Sequence, residues 1–307
     1  MDKLIITCAT AWEEGYEGVE GLRVPKTAKE IADSVRQARD AGASVAHVHE
    51  PHSKDGTPPA HSSGVAGWLE VAELIRRRTD IVYEHGQDGR PYFPRQLTSR
   101  ARPPGQTQQT FDLGIEKPEM IAFSLNALDF VRVQRHIYIH GTREEFERDM
   151  RLCREKGVKP AFEVWNSGSF FNLQWLEDRG LVDKPYWLTC FFAGRGGMSG
   201  PATIDELLAR LKLIPQGAMW QVAVWCGVKG RATTKDQLAM AAYAIAMGGH
   251  VRVGMEDNPF YWDGVPAESN AQMVERIANI ARQLGREIAS PDEARKMLGL
   301  ALRSVRL

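Results

Sequence analysis

Ser44-Val45-Ala46-His47-Val48-His49 is a short apolar run that reads as a buried β-strand. Successive side chains of a strand point to opposite faces, so His47 and His49 share one face. Much later, the run from His250 to Asn258 begins as a strand and ends in two adjacent carboxylates. Two imidazoles and one carboxylate can hold a divalent metal and leave a coordination position open, as catalytic zinc sites do. We therefore predict that the two histidines and Glu256 bind one zinc ion.

Short apolar runs alternate along the chain with helix-start signals, in which Ser or Thr precedes Glu or Gln by three residues. Strict alternation of strands and helices favours a parallel sheet, and eight strands at this length favour a closed (β/α)₈ TIM barrel. We predict one α/β barrel domain over residues 1–307, with a C-terminal helical extension. The predicted strands are residues 4–9, 44–49, 81–83, 120–123, 160–164, 187–191, 220–224 and 250–253, and the predicted helix starts are Thr27/Glu30, Thr142/Glu145, Thr203/Glu206, Thr234/Gln237, Ser269/Gln272 and Ser290/Glu293.

Closure of the barrel is what would bring the predicted ligands together. The eighth strand lies beside the first, which lies beside the second, and all strands open their carboxyl ends onto one mouth. Glu256, just past the eighth strand, can therefore meet His47 and His49 at the end of the second. Glu14, in the loop after the first strand, would face the same mouth.

Composition narrows the function classes. The 307 residues contain 39 basic and 39 acidic side chains, so the balance of charge indicates neither a nucleic acid nor a membrane partner. Any anion-binding patch must be local. The four cysteines are widely spaced and read as reduced, and the N-terminus has no signal-peptide pattern, so we expect a cytoplasmic protein.

Several motifs resemble one known family, the β-keto acid cleavage enzymes. The resemblance covers nearly the whole chain and is strongest from Gly248 onward. The motifs that carry it are His47-x-His49, Asp55-Gly56, Gly196-Gly197-Met198-Ser199-Gly200, Gly248 to Asn258, and Ala267-Glu268-Ser269-Asn270-Ala271-Gln272.

The resemblance implies a zinc-dependent barrel, usually a homotetramer, that condenses a β-keto acid with acetyl-CoA and releases acetoacetate and a new acyl-CoA. On matching positions, the zinc ligands are again His47, His49 and Glu256. Asp257 would be the acid/base group, oriented by Arg252, and Glu14 would face the substrate. A bound zinc ion stabilises an enolate as a Lewis acid, and a carboxylate can then remove the proton between two carbonyls.

The chain departs from this family in the middle strands. Members often have a Ser/Thr-Gly-Gly stretch after the third strand and a hydroxyl residue in the fourth, both used to hold the substrate carboxylate. Here the third strand continues as Tyr83-Glu84-His85-Gly86, and Ala122 takes the place of the hydroxyl residue. We predict His85, Ser124 and Asn126 as substitutes in substrate binding.

Other residues have both a functional and a structural interpretation. Glu163, at the end of the fifth strand, could contact substrate or form a core salt bridge. The free amides of Gly196 and Gly197 could hold a phosphate or a thioester oxygen, or their loop could simply be mobile. Lys229 and Arg231 are the candidate cations for the phosphates of CoA, with a solvated turn as the alternative.

Two other functions fit the same residues. A metal-dependent hydrolase or lyase would use the open zinc position to activate water. A metal- or metabolite-binding barrel without catalysis is also compatible with the altered third and fourth strands. Formation of acetoacetate from acetyl-CoA and a β-keto acid would separate the first interpretation from these two.

Overall fold

A closed barrel of eight parallel strands organises the chain. The computed structural model describes residues 2–10, 19–49, 64–86, 117–126, 128–132, 135–139, 143–196, 199–227 and 229–303. Its strands are β1 Ile6–Ala9, β2 Val45–Val48, β3 Val82–His85, β4 Met120–Ser124, β5 Leu128–Arg132, β6 Arg135–Ile139, β7 Lys159–Val164, β8 Tyr186–Phe192, β9 Ala218–Val224, β10 His250–Val253, β11 Phe260–Trp262 and β12 Val265–Pro266.

The barrel strands follow the order β1-β10-β9-β8-β7-β4-β3-β2, so β1 lies between β10 and β2. This order confirms the predicted (β/α)₈ architecture and places β1 between the two strands, β2 and β10, that carry the candidate ligands. Two antiparallel hairpins, β5–β6 and β11–β12, lie outside the barrel and were not predicted. The predicted strict alternation of strand and helix is therefore interrupted at these two hairpins.

Eight helices fall within the described residues, and polar caps begin most of them. They are α1 Ala28–Ala41, α2 Gly64–Arg78, α3 Arg143–Lys156, α4 Gly168–Glu177, α5 Ile204–Leu211, α6 Thr234–Ala246, α7 Asn270–Gln283 and α8 Pro291–Leu298. The predicted caps at Thr27, Thr203, Ser269 and Ser290 are confirmed, because each side chain accepts a hydrogen bond from the amide three residues on.

The predicted pair Thr234/Gln237 is wrong by one residue. Thr233 caps α6, its hydroxyl accepting from the Asp236 amide while the Asp236 carboxylate accepts from the Thr233 amide. Gln237 instead donates to the carbonyl of Val224. Thr233 and Thr234 are consecutive, so the pattern alone fits a helix start at either residue. The hydrogen bond from the Thr233 amide to the Asp236 carboxylate identifies Thr233 as the cap. The predicted cap residue Thr142 lies outside the described residues.

Two hydrophobic layers hold the barrel together. The larger one lies between the strands and the surrounding helices. The smaller one fills the barrel floor, where Ile5, Val45 and Trp187 pack against Ala294 and Leu298 of α8. The C-terminal helix therefore closes the end of the barrel opposite the candidate site.

Arg295 locks α8 in place. Its buried guanidinium donates to Glu119 at 2.6 and 3.1 Å and to the carbonyl of Ile81 at 3.1 Å. All four cysteines are free and buried, as predicted. Among the described helices, none combines the length and the apolarity that crossing a bilayer requires.

Candidate active site

Above the apolar floor, the barrel interior becomes polar. Residues paired across neighbouring strands form one ring, because parallel strands in register bring equivalent positions to the same height. His47 pairs with Ala9 of β1 and with Glu84 of β3. Arg252 on β10 is also buried, and Glu163 on β7 is partly buried. The barrel interior therefore holds titratable groups away from water.

The predicted metal ligands converge. The Nε2 atoms of His47 and His49 are 3.1 Å apart. Glu256 approaches both, with Oε1 3.3 Å from Nε2 of His49 and Oε2 3.7 Å from Nε2 of His47. All three side chains are buried, and one ligand atom from each lies within 4.8 Å of the others. The structure thus brings together residues from the ends of β2 and β10.

A carboxylate that we did not predict orients the first of these ligands. Glu84 lies opposite His47 in the strand register, and its Oε1 is 2.6 Å from Nδ1 of His47. With Glu84 ionised, Nδ1 carries the proton and donates it to the carboxylate, which leaves the Nε2 lone pair facing His49 and Glu256. A carboxylate behind a metal-binding imidazole commonly fixes the tautomer and the orientation of that ring. The sequence contains Glu84, but only the register of β2 against β3 pairs it with His47.

Two glycines make room for the cluster. A Cβ atom on Gly86 would lie 2.5–2.8 Å from the imidazole ring of His49, so the ring occupies the space of a missing side chain. Gly254, at the exit of β10, has φ +154, and a Cβ there would lie 2.0 Å from the carbonyl oxygen of Ala9. This close approach to β1 allows the following turn to carry Glu256 into the barrel mouth.

Arg252 and Trp225 hold the neighbouring carboxylate. Nε of Arg252 donates to Oδ2 of Asp257 at 2.9 Å, and a second guanidinium nitrogen bonds Oδ1 of Asp257 at 3.0 Å and Oε1 of Glu256 at 2.6 Å. Nε1 of Trp225 also donates to Oδ1 of Asp257, at 3.0 Å. The predicted pairing of Arg252 with Asp257 is present, whereas Trp225 was not predicted as a site residue.

The local environment shifts the pKa values of these buried groups in different directions. Burial raises the pKa of Asp257, and the adjacent Glu256 adds to this effect against the pull of Arg252. Burial opposes ionisation of Glu256 as well, but Arg252 and the two imidazoles hold its pKa well below the ordinary value. Burial keeps the pKa of His47 far below its usual range, so the ring is neutral. It raises the pKa of Glu84 to about 8.

The donor set fits a divalent metal such as zinc. Four ligands at about 2.05 Å around a tetrahedral centre would lie about 3.3 Å apart, close to the separations in the cluster. Oε2 of Glu256 is buried and has no hydrogen-bond partner within the described part of the chain. A neutral imidazole, an ionised carboxylate and an orphaned oxygen all point to a bound cation.

Comparison with known proteins agrees with this geometry. The family model described as "beta-keto acid cleavage enzyme" matches residues 3–300. The chain belongs to the β-keto acid cleavage enzyme family. A relative from Fusobacterium nucleatum, "3-keto-5-aminohexanoate cleavage enzyme", is 34% identical over 98% of this chain and 99% of its own length.

Other relatives are more distant. A protein of Paraburkholderia graminis named "3,5-dioxohexanoate:acetyl-CoA acetone transferase" is 25% identical over 97% of this chain and 96% of its own length. A solved apo structure of ObcA superimposes with a TM-score of 0.67, covering 90% of this chain and 65% of that chain, at 15% identity. At that identity the likeness supports the barrel fold alone.

Ser124 and Glu163, two of the predicted substrate-binding residues of this family member, lie together in the barrel. Oγ of Ser124 donates to Oε2 of Glu163 at 2.9 Å, and Nε1 of Trp165 contacts the same hydroxyl at 2.8 Å. Asn126 lies beyond the end of β4, where its amide donates to Asn166 at 3.2 Å. Its carbonyl oxygen also accepts from Ser169 at the start of α4. Both asparagines thus hold loop structure in the present arrangement.

The remaining predicted residues are placed differently. His85 lies on the outer face of β3, where its ring stacks on Trp68 at 3.8 Å and Nε2 is 2.6 Å from the Tyr83 hydroxyl. The alternation of the strand turns Glu84 inward and His85 toward the helices, so the structure does not bring His85 to the metal ligands. Gly196 lies in the loop after β8 with φ +110, and Glu14 and Gly197 lie outside the described residues.

Proposed function

We propose that this protein is a zinc-dependent acyltransferase that cleaves a small β-keto acid with acetyl-CoA, forming acetoacetate and a new acyl-CoA. The observation that carries the proposal is the convergence of His47, His49 and Glu256 beside the held carboxylate of Asp257. The family match and the names of two relatives, one a keto acid cleavage enzyme and one an acetyl-CoA transferase, support it.

His47, His49 and Glu256 would hold the zinc ion, with Glu84 fixing the orientation of His47. When bound, the metal supplies Lewis-acid polarisation of the substrate carbonyl groups. The chain itself provides the base. Asp257 lies one residue from a ligand, and its raised pKa makes it a stronger base than an exposed aspartate.

The hydrogen bonds of Asp257 indicate which oxygen takes the proton. Oδ1 accepts from both Trp225 and Arg252, which uses both of its lone pairs. Among the described residues, Oδ2 accepts from Nε of Arg252 alone, which leaves one lone pair for a proton. We assign to Oδ2 the removal of the proton between the two carbonyl groups of the β-keto acid. Arg252 keeps this oxygen in place while the proton is transferred.

The remaining steps balance without a further reactant. The deprotonated carbon of the keto acid attacks the acetyl carbonyl, a carbon–carbon bond forms, and the bond between the acetyl group and sulfur breaks. The released CoA thiolate attacks the ketone carbon of the original keto acid. The bond between that ketone carbon and the carbon that was first deprotonated then breaks. The deprotonated carbon takes back the proton held by Asp257 and leaves as part of acetoacetate, and the acyl group leaves on CoA.

Incubation of the zinc-loaded protein with acetyl-CoA and a panel of β-keto acids tests the proposal. We expect acetoacetate and a new acyl-CoA to appear in equal amounts, with both substrates required. Asp257→Asn keeps the size of the side chain but cannot take the proton, so turnover should fall roughly 100- to 10,000-fold. Zinc affinity of the variant should stay within a few-fold of wild type. Turnover of a keto acid without acetyl-CoA, or full activity of the variant, would refute the mechanism.

A further inference from the structure

One sector of the barrel mouth carries its positive charge on a single pair of loops. Within the described residues of the loops that follow β7, β8, β9 and β10, the cations are Arg195, Lys229 and Arg231. Arg195 follows β8, and the other two follow β9. The same sector contains Asp257, which the proposed reaction uses as its base.

Backbone pairing joins these two loops. Gly194 and Gly230 form an antiparallel bridge, the Arg195 amide donates to the carbonyl of Lys229 at 3.1 Å, and the Arg231 amide donates to the carbonyl of Ala193 at 2.8 Å. A Cβ on Gly230 would lie 1.6 Å from the carbonyl oxygen of Trp225, so the bridge is packed directly on that residue.

The bridge is also tied to the catalytic carboxylate. The amide of Cys226 donates to the backbone carbonyl of Asp257 at 2.9 Å, and Trp225 holds its side chain. Three cations are therefore placed by backbone contacts at a set position relative to the proposed base. A solvated turn, the alternative interpretation of Lys229 and Arg231, would not require these contacts.

The three cations differ in depth. Lys229 is buried, with Nζ 5.8 Å from the centroid of the Trp225 ring. Arg195 and Arg231 are exposed at the rim. The Arg195 guanidinium donates to the carbonyl of Gly227 at 3.2 Å, and neither arginine is paired with a carboxylate within the described ranges. Positive charge thus runs from beside Asp257 to the surface.

We propose that Arg195 and Arg231 bind the phosphates of acetyl-CoA, so that its acyl-pantetheine arm enters the barrel past Lys229. The inference rests on the proposed function, which requires an acyl-CoA. The chain has no net charge, so a polyanion gains little from its overall field and needs a local patch. One guanidinium can bind two phosphate oxygens at once, and no carboxylate in the described ranges competes for Arg195 or Arg231.

The charges inside the barrel strengthen the case for a rim site. Carboxyl groups of Glu84, Glu256 and Asp257 are buried there, and Arg252 is already paired with Glu256 and Asp257. Arg252 is therefore not available to phosphates, while the uncharged pantetheine arm needs no cation. The structure therefore separates an outer surface for the charged end of CoA from an inner site for the thioester.

The test compares two thioester substrates in the zinc-loaded enzyme. Acetyl-pantetheine carries the same arm as acetyl-CoA but lacks the phosphates and the nucleotide. For Arg195→Gln combined with Arg231→Gln, we expect KM for acetyl-CoA to rise about 10-fold for each arginine, with no matching rise for acetyl-pantetheine. The dependence of the acetyl-CoA KM on salt should weaken in the same variant.

A matched control carries the same change of charge elsewhere. Arg179 and Arg282 are exposed and follow or end helices at the opposite end of the barrel, so Arg179→Gln combined with Arg282→Gln should leave both KM values unchanged. An equal rise for both thioesters in the rim variant would overturn the inference, because it would indicate damage to the acyl site. Unchanged KM values in the rim variant would overturn it as well.

Calorimetry keeps this result separate from the proposed function. If the wild-type protein makes no acetoacetate from any keto acid, the proposed function is refuted. The phosphate site at Arg195 and Arg231 can still be tested by titrating CoA and pantetheine into the zinc-loaded protein. Loss of CoA affinity in the rim variant alone, with pantetheine unaffected, supports the phosphate site. Equal CoA affinity in the rim and control variants rejects it.

Discussion

Replacement of Glu84 tests the assignment of the metal centre most directly. Its Oε1 is 2.6 Å from Nδ1 of His47, and both side chains are buried. A hydrogen bond to a charged group contributes about 1.5–3 kcal/mol, against about 1 kcal/mol for a neutral pair. Above about pH 8, where Glu84 is ionised, Glu84→Gln keeps an acceptor but loses the charge, a difference of about 0.5–2 kcal/mol. We expect zinc affinity to fall about 3- to 30-fold, since 1.4 kcal/mol corresponds to tenfold.

Glu84→Ala removes the acceptor and leaves the Nδ1 proton of His47 without this partner. Loss of such a supporting group typically lowers metal affinity about 10- to 100-fold. The order of affinity should therefore be wild type, Gln variant, Ala variant. The assay is competition for zinc between metal-free protein and a chromophoric chelator at fixed pH, which requires no knowledge of the substrate.

Glu163→Gln is the matched control. Glu163 is a partly buried carboxylate of the barrel interior, and its partners in the described part of the chain are Ser124 and Trp165 instead of an imidazole. Removing it changes the charge equally without touching His47. If both Gln variants lose zinc affinity to the same extent, general electrostatics explains the loss, and the role given to Glu84 is wrong.

Two further predictions concern the frame around the site. Burial, reinforced by Arg286, lowers the pKa of His250 to about 3, so the native state leaves this ring neutral while the unfolded chain protonates it below about pH 6.5. Stability is lost as the pH falls through that window, and from pH 7 to 4 the free energy of unfolding should fall by roughly 3 kcal/mol on this account. His250→Asn should remove that part of the pH dependence in denaturant titrations, and an unchanged pH profile would contradict it. Gly254→Ala forces a Cβ against the carbonyl of Ala9 and should cost about 1–3 kcal/mol and weaken zinc binding. Gly248→Ala, with a positive φ but nothing within 4 Å, should cost about 1 kcal/mol and leave zinc binding intact, and equal effects of both would contradict the close-approach argument.

Several features were predictable because their causes are local. The apolar run of β8 and the cap at Thr27 depend on neighbouring residues, and both lie where the pattern placed them. The pair His47 and His49 shares a face because strand alternation requires it. The cap of α6 was misplaced by one residue, since Thr233 and Thr234 are locally equivalent and the Asp236 contact distinguishes them.

Glu84, Trp225 and His85 depend on long-range geometry. Glu84 belongs to the site because β3 pairs with β2 in a register that sets it opposite His47. Trp225 belongs because the loop after β9 meets the turn after β10 and places its indole on Asp257. His85 was predicted at the mouth from its position after a strand, but alternation directs it to the helix layer. A shift of one residue in a strand reverses the facing of every side chain, and sequence seldom resolves such a shift.

By itself the sequence determined the class of fold, the eight barrel strands in their chain order, and the three candidate ligands. These follow from hydrophobic periodicity, caps and residue types, which act over a few neighbours. Only the tertiary structure decided which carboxylate supports His47, which oxygen of Asp257 is left for a proton, and which loops carry the rim arginines. Those contacts join residues far apart in the chain, and barrel closure sets their distances.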